Sequence, residues 1–206
     1  MRLKLKVEYI TSRLEQLYPN PEIPLDHENN FTFLVAVMLS AQSTDRKVNE
    51  ITPKLFQIAN CPEKMNNLKT EKIQEIIKQI GLAPTKSRNI AKMSQQLLER
   101  HNGEVPANFE DLENLAGVGH KTASVIMSQA FNQPAFPVDT HIHRLAKRWK
   151  LSNGKNVTNT ENDLKKKFDQ KLWNKLHLQM IFYGREHCPA RKTKCNCLIC
   201  ERTRKP

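Results

Sequence analysis

Residues 108–130 read NFEDLENLAGVGHKTASVIMSQA, and this stretch decides the fold. Asn108 is a favoured N-cap and predicts a short helix over 109–115. The loop AGVG at 116–119 then interrupts the helical pattern with two glycines, which adopt backbone angles that other residues avoid. A second helix is expected over 120–130. Two short helices joined by such a loop form a helix-hairpin-helix.

The loop of this hairpin has the features of an anion site. Its glycines, Gly117 and Gly119, with Val118 between them, let backbone N–H groups come close to a ligand. Those groups and the N-terminus of the second helix attract negative charge. A DNA phosphate fits such a site without base readout, so all three residues are candidate DNA contacts. Many helix pairs also turn on glycines, and a purely structural turn is the alternative for this motif alone.

Helical patterns continue on both sides of the hairpin. No stretch alternates apolar and polar residues at every second position, so no convincing strand is expected. Further helices are expected where apolar residues recur three and four positions apart. These segments are 7–17, a helix starting near 31, 44–58, 73–80, 85–100, 140–150 and 172–183, with a polar loop over 152–160. The sequence therefore predicts an all-α fold.

The net charge of the chain indicates which class of molecule it binds. The chain has 206 residues, with 33 Lys and Arg against 21 Asp and Glu, and its formal net charge is +12. This excess indicates a polyanion, usually nucleic acid and sometimes an anionic membrane surface, with simple solubility as the alternative. The most apolar run, 31–39, has nine residues, whereas a spanning helix needs about 20. Because no signal peptide is seen either, a cytoplasmic, nucleoid-associated protein without a membrane partner is expected.

Lys121 lies on the first turn of the second hairpin helix, where the positive helix end disfavours a cation. It is either a surface lysine that contacts phosphate or a nucleophile. An amine attacks only when neutral, and its reference pKa is about 10.4. The helix end and the partial burial expected here would both lower that pKa. Attack on a sugar C1′, giving a Schiff base, is the chemistry that suits such an amine.

Asp139 opens the next helix, in the stretch VDTHIHR at 138–144. Its simplest interpretation is a helix cap, for which Asp139 and Thr140 are both suited. Capping is compatible with catalysis, because a carboxylate held by helix N–H groups stays ionised. It could then stabilise positive charge that develops on the sugar, or deprotonate the attacking amine.

Four of the five cysteines cluster near the C-terminus, at Cys188, Cys195, Cys197 and Cys200. In a reducing compartment such a cluster indicates a metal site before disulfides. Four thiolates suit structural zinc or an iron–sulfur cluster, and the gaps of six, one and two residues favour zinc on spacing alone. Basic residues stand between the first two cysteines: Arg191, Lys192 and Lys194. They indicate a second phosphate-binding surface, or else a solvated basic tail.

Four motifs resemble those of the endonuclease III family of helix-hairpin-helix DNA glycosylases. They are LSAQSTD at 39–45, LAGVGHKTA at 115–123, VDTHIHR at 138–144 and the cysteine-rich tail. Their order and approximate spacing are those of the family, and the resemblance covers nearly the whole chain. It implies a bifunctional enzyme that acts on double-stranded DNA, excises oxidised pyrimidines and cleaves the abasic site by β-elimination.

The resemblance also assigns roles to single residues. Lys121 falls on the family's Schiff-base lysine and Asp139 on its catalytic aspartate. Gln42 falls on the glutamine that fills the gap left by a flipped nucleotide, and Leu82 on a second, apolar wedge. A cap or loop residue is the alternative for Gln42, and core packing is the alternative for Leu82. His141 also matches, with core packing or a phosphate contact favoured over catalysis.

At the level of domains, the resemblance implies a monomer of two helical domains with a DNA-binding cleft between them, where Lys121 and Asp139 would meet. The expected domains are a six-helix domain over 23–132, with the hairpin at about 108–130, and a second domain of 1–22 plus 133–206, with the metal loop at 188–200.

Two departures from the family stand out. After Gly81-Leu82 the family often has an aromatic residue and a short stretch leading to Lys-Ala, whereas here APTKS at 83–87 leaves the detail of a DNA-facing loop open. The family binds a [4Fe–4S] cluster through C-x6-C-x2-C-x5-C, and only the first spacing holds here. Family context favours that cluster all the same, with zinc or no stable metal as alternatives.

Two other functions stay open. A monofunctional glycosylase of the same superfamily would use the aspartate with water, but such enzymes lack a lysine at this position. A non-enzymatic module could bind DNA through the hairpin and a zinc knuckle. That interpretation gives no reason for Lys121 and Asp139 to occupy their positions together.

Overall fold

The computed structural model describes residues 2–191 and 195–204. Within these ranges the secondary structure is helical and contains no β-strand, which confirms the all-α prediction. None of the described helices is long and apolar enough to cross a membrane. The helices are α1 (Leu3–Leu17), α2 (Asn30–Ser40), α3 (Asp45–Phe56), α4 (Pro62–Asn66), α5 (Thr70–Ile76), α6 (Ala83–His101), α7 (Phe109–Glu113), α8 (His120–Gln129), α9 (Thr140–Arg148), α10 (Val157–Lys165), α11 (Trp173–Glu186) and α12 (Leu198–Arg204).

The chain divides into two compact units. One unit is continuous and comprises Ile23–Phe131, and the other joins Met1–Glu22 to Asn132–Pro206. The continuous unit contains seven helices, α2 to α8, where six were expected. The additional short helix α4 begins at Pro62, because the fixed φ of proline suits the first turn of a helix.

Helix α2 is the central element of the continuous unit. Every residue from Phe31 to Leu39 is buried, so the nine-residue apolar run is a core helix. Its start is fixed by a capping box, in which Asn29 Oδ1 accepts from Thr32 N at 2.9 Å and Thr32 Oγ1 accepts from Asn29 N at 3.0 Å. Helices α3, α6 and α8 pack against α2, and these are the elements that position the hairpin.

The second unit has its own aromatic core. Trp149 and Tyr183 are buried and meet edge to face, with ring centroids 5.6 Å apart. Helix α11 packs against α9 and α1, and Ile10 and Leu14 bring the N-terminal helix into the same cluster. Three of the clustered cysteines are part of this core, so the candidate metal site is built onto the packed interior of the unit.

Several predicted boundaries were wrong for local reasons. The polar stretch 152–160 is not all loop, because Asn156 caps α10 by accepting from Asn159 N at 2.7 Å. The stretch 83–87, expected as a DNA-facing loop, forms the first turn of α6 with Pro84 near its start. The first hairpin helix ends at Glu113, two residues before the expected position.

Candidate functional site

Gly117 fixes how closely the hairpin packs on its own unit. Its φ is +80°, and a Cβ placed there would lie 2.7 Å from Asn89 Nδ2 and 2.8 Å from Met38 Cε. Both the backbone angle and the space therefore require glycine. The consequence is that the hairpin sits directly against α2 and α6.

Gly119, the N-cap of α8, meets a different requirement. A Cβ there would have no neighbour within 4 Å, and its φ is −100°. Internal packing does not demand glycine at this position, whereas an approaching ligand would gain access to the N–H groups at the helix start. Val118 between the glycines is buried, and its N–H donates to Leu115 O at 3.1 Å. The side chain of Val118 is therefore not available to a ligand at this loop.

Side chains brace the hairpin from inside the unit. The buried Gln96 accepts from Ala116 N at 2.7 Å and donates to Asn114 O at 3.2 Å. Across the hairpin, His120 Nδ1 lies 2.8 Å from Glu113 Oε1, and its ring stacks on Phe109. These contacts brace the hairpin at its loop and at the helix ends on either side.

Lys121 is the second residue of α8 and its side chain is exposed, so the expected partial burial was wrong. No hydrogen bond or ion pair with the described residues of its own unit engages the amine. The position on the first turn leaves the positive end of the helix beside the amine. Lys121 thus has the access that a nucleophile for a large substrate requires.

Asp139 is the N-cap of α9. Its Oδ1 accepts from Ile142 N at 2.7 Å, and the side chain is partly buried. Of the two residues suited to the cap, the structure therefore uses Asp139, while Thr140 is exposed as the first helical residue. The hydrogen bond from the helix N–H fixes the direction of this carboxylate. Lys121 and Asp139 lie in different units, and their meeting stays a prediction.

His141 is a structural residue of α9 in its present surroundings. Its Nδ1 lies 3.1 Å from Arg144 Nη2, and because a guanidinium only donates, this nitrogen carries no proton. Partial burial lowers the pKa of His141, and the Arg144 and Arg185 cations lower it further, against the raising effect of Asp139. Gly184 on α11 allows His141 to pack closely against that helix, since a Cβ at position 184 would lie 3.1 Å from His141 Cβ. Core packing, one of the two interpretations favoured over catalysis, agrees with these contacts, and a phosphate contact of His141 stays a prediction.

Gln42 and Leu82 share an unusual conformation on neighbouring loops. Their φ angles are +55° and +63°, in the left-handed region that residues other than glycine rarely occupy. Both side chains are exposed, Leu82 by 53%, so core packing does not explain Leu82. Gly81 brings the two loops together, because a Cβ there would lie 3.1 Å from Gln42 O.

Lys86 is a residue that the sequence alone did not single out. It lies in the first turn of α6, is only 6% exposed, and donates from Nζ to Leu39 O at 2.9 Å and to Ala41 O. Burial lowers the pKa of its amine. The residue ties the C-terminal end of α2 to the start of α6, immediately before Gln42 and after Leu82. Only the fold could reveal this link, which joins positions 45 residues or more apart.

The four clustered cysteines come together as predicted. Their Sγ atoms all lie within 4.8 Å of one another, and those of Cys188 and Cys200 are 3.7 Å apart. The pKa of Cys197 is far below its usual value, because Cys188 and Cys200 donate hydrogen bonds to its sulfur. Thiolates are the form that binds metal, so the cluster is a site compatible with a metal ion or cluster.

The surroundings of the cysteines are cationic. Arg148 Nη1 donates to Cys188 Sγ at 3.0 Å, and Arg144 donates to Cys188 O at 3.1 and 3.2 Å. Of the basic residues between the first two cysteines, Arg191 is exposed. The other two that were expected to contact phosphate, Lys192 and Lys194, lie outside the described residues.

Comparisons with known proteins agree with these features. Residues 35–170 match the family model of the HhH-GPD superfamily base excision DNA repair proteins. Endonuclease III of Haemophilus influenzae is 43% identical over 198 residues, covering 96% of this chain and 94% of the relative. That of Bacillus subtilis is 41% identical over 195 residues, covering 94% and 89%. The solved structure of a trapped endonuclease III–DNA covalent intermediate matches with a TM-score of 0.90 at 36% identity, over 100% of both chains.

These matches extend over nearly the full length of the chain and include the glycine hairpin and the residues on either side of it. The chain therefore belongs to the endonuclease III family of the HhH-GPD superfamily of base excision DNA repair proteins.

Proposed function

We propose that this enzyme removes a damaged base and cuts the resulting abasic site through a Schiff base on Lys121. As a member of the endonuclease III family, the chain is a DNA glycosylase and abasic-site lyase of base excision repair. The observation that carries the lysine mechanism is the exposed amine of Lys121, two residues after the open Gly119. A relative has been trapped in a covalent complex with DNA, and this supports a covalent route.

In this route the neutral amine of Lys121 attacks C1′ of the damaged nucleotide. The new N–C1′ bond forms as the glycosidic bond breaks, and the base leaves with the bonding electron pair and takes up a proton. The adduct opens to an iminium, which is the Schiff base. Loss of a C2′ proton then expels the 3′ phosphate by β-elimination. The amine lies on the first turn of α8, beside the positive end of that helix.

We assign Asp139 the proton and charge chemistry beside that amine. The hydrogen bond from Ile142 N fixes the direction of the carboxylate. An ionised carboxylate there would accept a proton from the attacking amine or stabilise positive charge on the sugar. The monofunctional alternative would use the same carboxylate with water and would leave Lys121 without a chemical task.

Gln42 and Leu82 are proposed to open the duplex. A base stacked in a helix is out of reach of an amine, so the nucleotide must be flipped and the gap held open. Two exposed side chains on neighbouring strained loops suit that task, one polar toward the orphaned base and one apolar toward the stack. His141 would add at most a contact to phosphate, and the hairpin glycines would hold the backbone.

The resemblance further implies oxidised pyrimidines as the damaged bases and a monomeric enzyme, and both stay predictions. The resemblance also implies a [4Fe–4S] cluster. In such a cluster each thiolate binds a different iron atom, so the sulfurs stand roughly 6 Å apart. The four sulfurs here lie within 4.8 Å of one another and do not fit that group as they stand. No step of the chemistry therefore passes through it.

An incision assay tests the lysine mechanism. Duplexes carrying one thymine glycol, or one preformed abasic site, are incubated with the enzyme, with Lys121→Ala and with Lys92→Ala, an exposed lysine of α6 that serves as control. We expect Lys121→Ala to lose strand cleavage on both substrates by at least about 100-fold, with DNA affinity largely kept. Cleavage at the wild-type rate by Lys121→Ala would overturn the proposal.

A further inference from the structure

We propose that Cys188, Cys195, Cys197 and Cys200 bind a single Zn²⁺ ion in place of the family's iron–sulfur cluster. The gaps between these cysteines differ from the family pattern in the second and third positions. The proposal concerns only the second unit, and it stands independently of the lysine mechanism.

The positions of the sulfurs suit one small ion. Zinc in a structural site is tetrahedral with Zn–S bonds of about 2.3 Å, which places its sulfurs about 3.8 Å apart. The Sγ atoms of Cys188 and Cys200 are 3.7 Å apart, and no pair among the four exceeds 4.8 Å. One ion among them needs only small inward shifts. A cubane would require every sulfur to move outward by on the order of 1 Å.

The chain offers little freedom for such an expansion. The six residues from Cys195 to Cys200 contain three of the four thiols, whereas the family pattern spreads the corresponding three cysteines over ten residues. A single residue separates Cys195 from Cys197, and Cys200 is already in the first turn of α12. The Cys200 thiol is buried on a helical turn, so it can move outward only by changing its χ1 rotamer against packed neighbours or by a shift of the helix.

Packing around the cysteines fixes them in place. Ile199, between two ligands, is fully buried, and its N–H lies 3.4 Å from the buried Tyr183 hydroxyl. Arg204 Nη2 donates to Cys195 O at 2.7 Å and ties the end of α12 back to the loop. Four thiolates around Zn²⁺ leave a net negative charge, and the Arg148 guanidinium on Cys188 Sγ offsets it.

Metal analysis of the full-length protein tests the proposal. The chain is produced without oxygen in a medium supplemented with iron but not with zinc, and its metals and visible absorption are measured. We expect about one zinc per chain and no iron–sulfur absorption. About four irons per chain with the broad visible absorption of a cluster would overturn the proposal, and so would a folded protein that holds no metal.

Competition excludes accidental occupancy by zinc. The metal-stripped chain is offered ferrous iron and sulfide together with an equal amount of Zn²⁺, and the retained metal is measured after desalting. Retained zinc, and the visible spectrum of tetrahedral Co²⁺ thiolate when cobalt replaces it, are the expected results. Cluster formation under competition would contradict them. Cys197→Ser should lose metal retention by at least tenfold, whereas Cys61→Ser, outside the cluster, should bind as the wild type does.

Discussion

At the scale of single residues, Leu82 and Gln42 both adopt a left-handed backbone conformation that lowers the stability of the fold. A left-handed conformation at a residue other than glycine costs about 1 kcal/mol or more of folding free energy. Burial of the side chain does not offset this cost at either position, because both side chains are exposed. Leu is a poor choice for such a position on structural grounds. Its presence there is explained if the side chain is needed outside the protein, against DNA.

Two substitutions at Leu82 separate strain from function. Leu82→Gly and Leu82→Ala both remove the wedge, but only glycine relieves the left-handed backbone. We expect Leu82→Gly to have the higher free energy of unfolding, by about 1 kcal/mol, and both variants to excise a damaged base roughly tenfold more slowly. Denaturant unfolding and single-turnover kinetics measure the two quantities. Wild-type excision by either variant would refute the wedge.

Lys86 is expected to act as a positioning residue for Gln42. Lys86→Met leaves the Leu39 and Ala41 carbonyls without their buried donor, and the free energy of unfolding should fall by about 1–3 kcal/mol. Excision of a paired damaged base should slow by about tenfold, while cleavage at a preformed abasic site should change less, because less unpairing is needed there. Lys92→Met on the same helix is the control. An equal loss on both substrates would indicate a merely structural residue.

At the scale of elements, the two glycines of the hairpin have different tasks. Gly117 is required by packing against α2 and α6, whereas the space beside Gly119 is open to solvent. The motif G-x-G predicted the hairpin but could not distinguish these tasks, because they depend on Asn89 and Met38, which are distant in sequence. For the same reason the buried side chain of Val118 could not be foreseen.

Substituting the two glycines tests this division. Gly117→Ala should lower the free energy of unfolding by about 2–4 kcal/mol, from the positive φ and the overlap with Asn89 and Met38. Gly119→Ala should leave stability within about 0.5 kcal/mol of the wild type, but should weaken DNA binding several-fold, because its methyl group stands where a phosphate would approach. Thermal unfolding and fluorescence anisotropy measure both. Unchanged DNA affinity for Gly119→Ala would contradict a contact between the hairpin loop and DNA.

Helix positions were predicted well where a cap or a strong apolar face marks them, as at Asn108 and over 31–39. They were missed where one local interaction decides the outcome. Asn156 caps α10 within a stretch that was expected to be a loop. The left-handed residue Leu82 precedes α6, which begins at Ala83, two residues earlier in the chain than expected. Single side chains of this kind are common in loops too, so a pattern of polar residues does not reveal which of them will cap a helix.

At the scale of the whole molecule, the sequence motifs were enough to predict the family, the all-α class and the clustering of the four cysteines. They did not give the environment of Lys121. Partial burial was expected for Lys121, yet the side chain is exposed. The motif gives the position of Lys121 on the helix but not the exposure of its side chain.

Borohydride trapping tests the central claim most directly. The enzyme, Lys121→Ala and Lys92→Ala are each mixed with a duplex that carries one abasic site, reduced with borohydride, and analysed by peptide mapping. We predict a covalent protein–DNA adduct for the wild type and Lys92→Ala, located on Lys121, and none for Lys121→Ala. An adduct of undiminished yield with Lys121→Ala, or no adduct from wild-type enzyme that has bound the DNA, would contradict the Schiff-base mechanism.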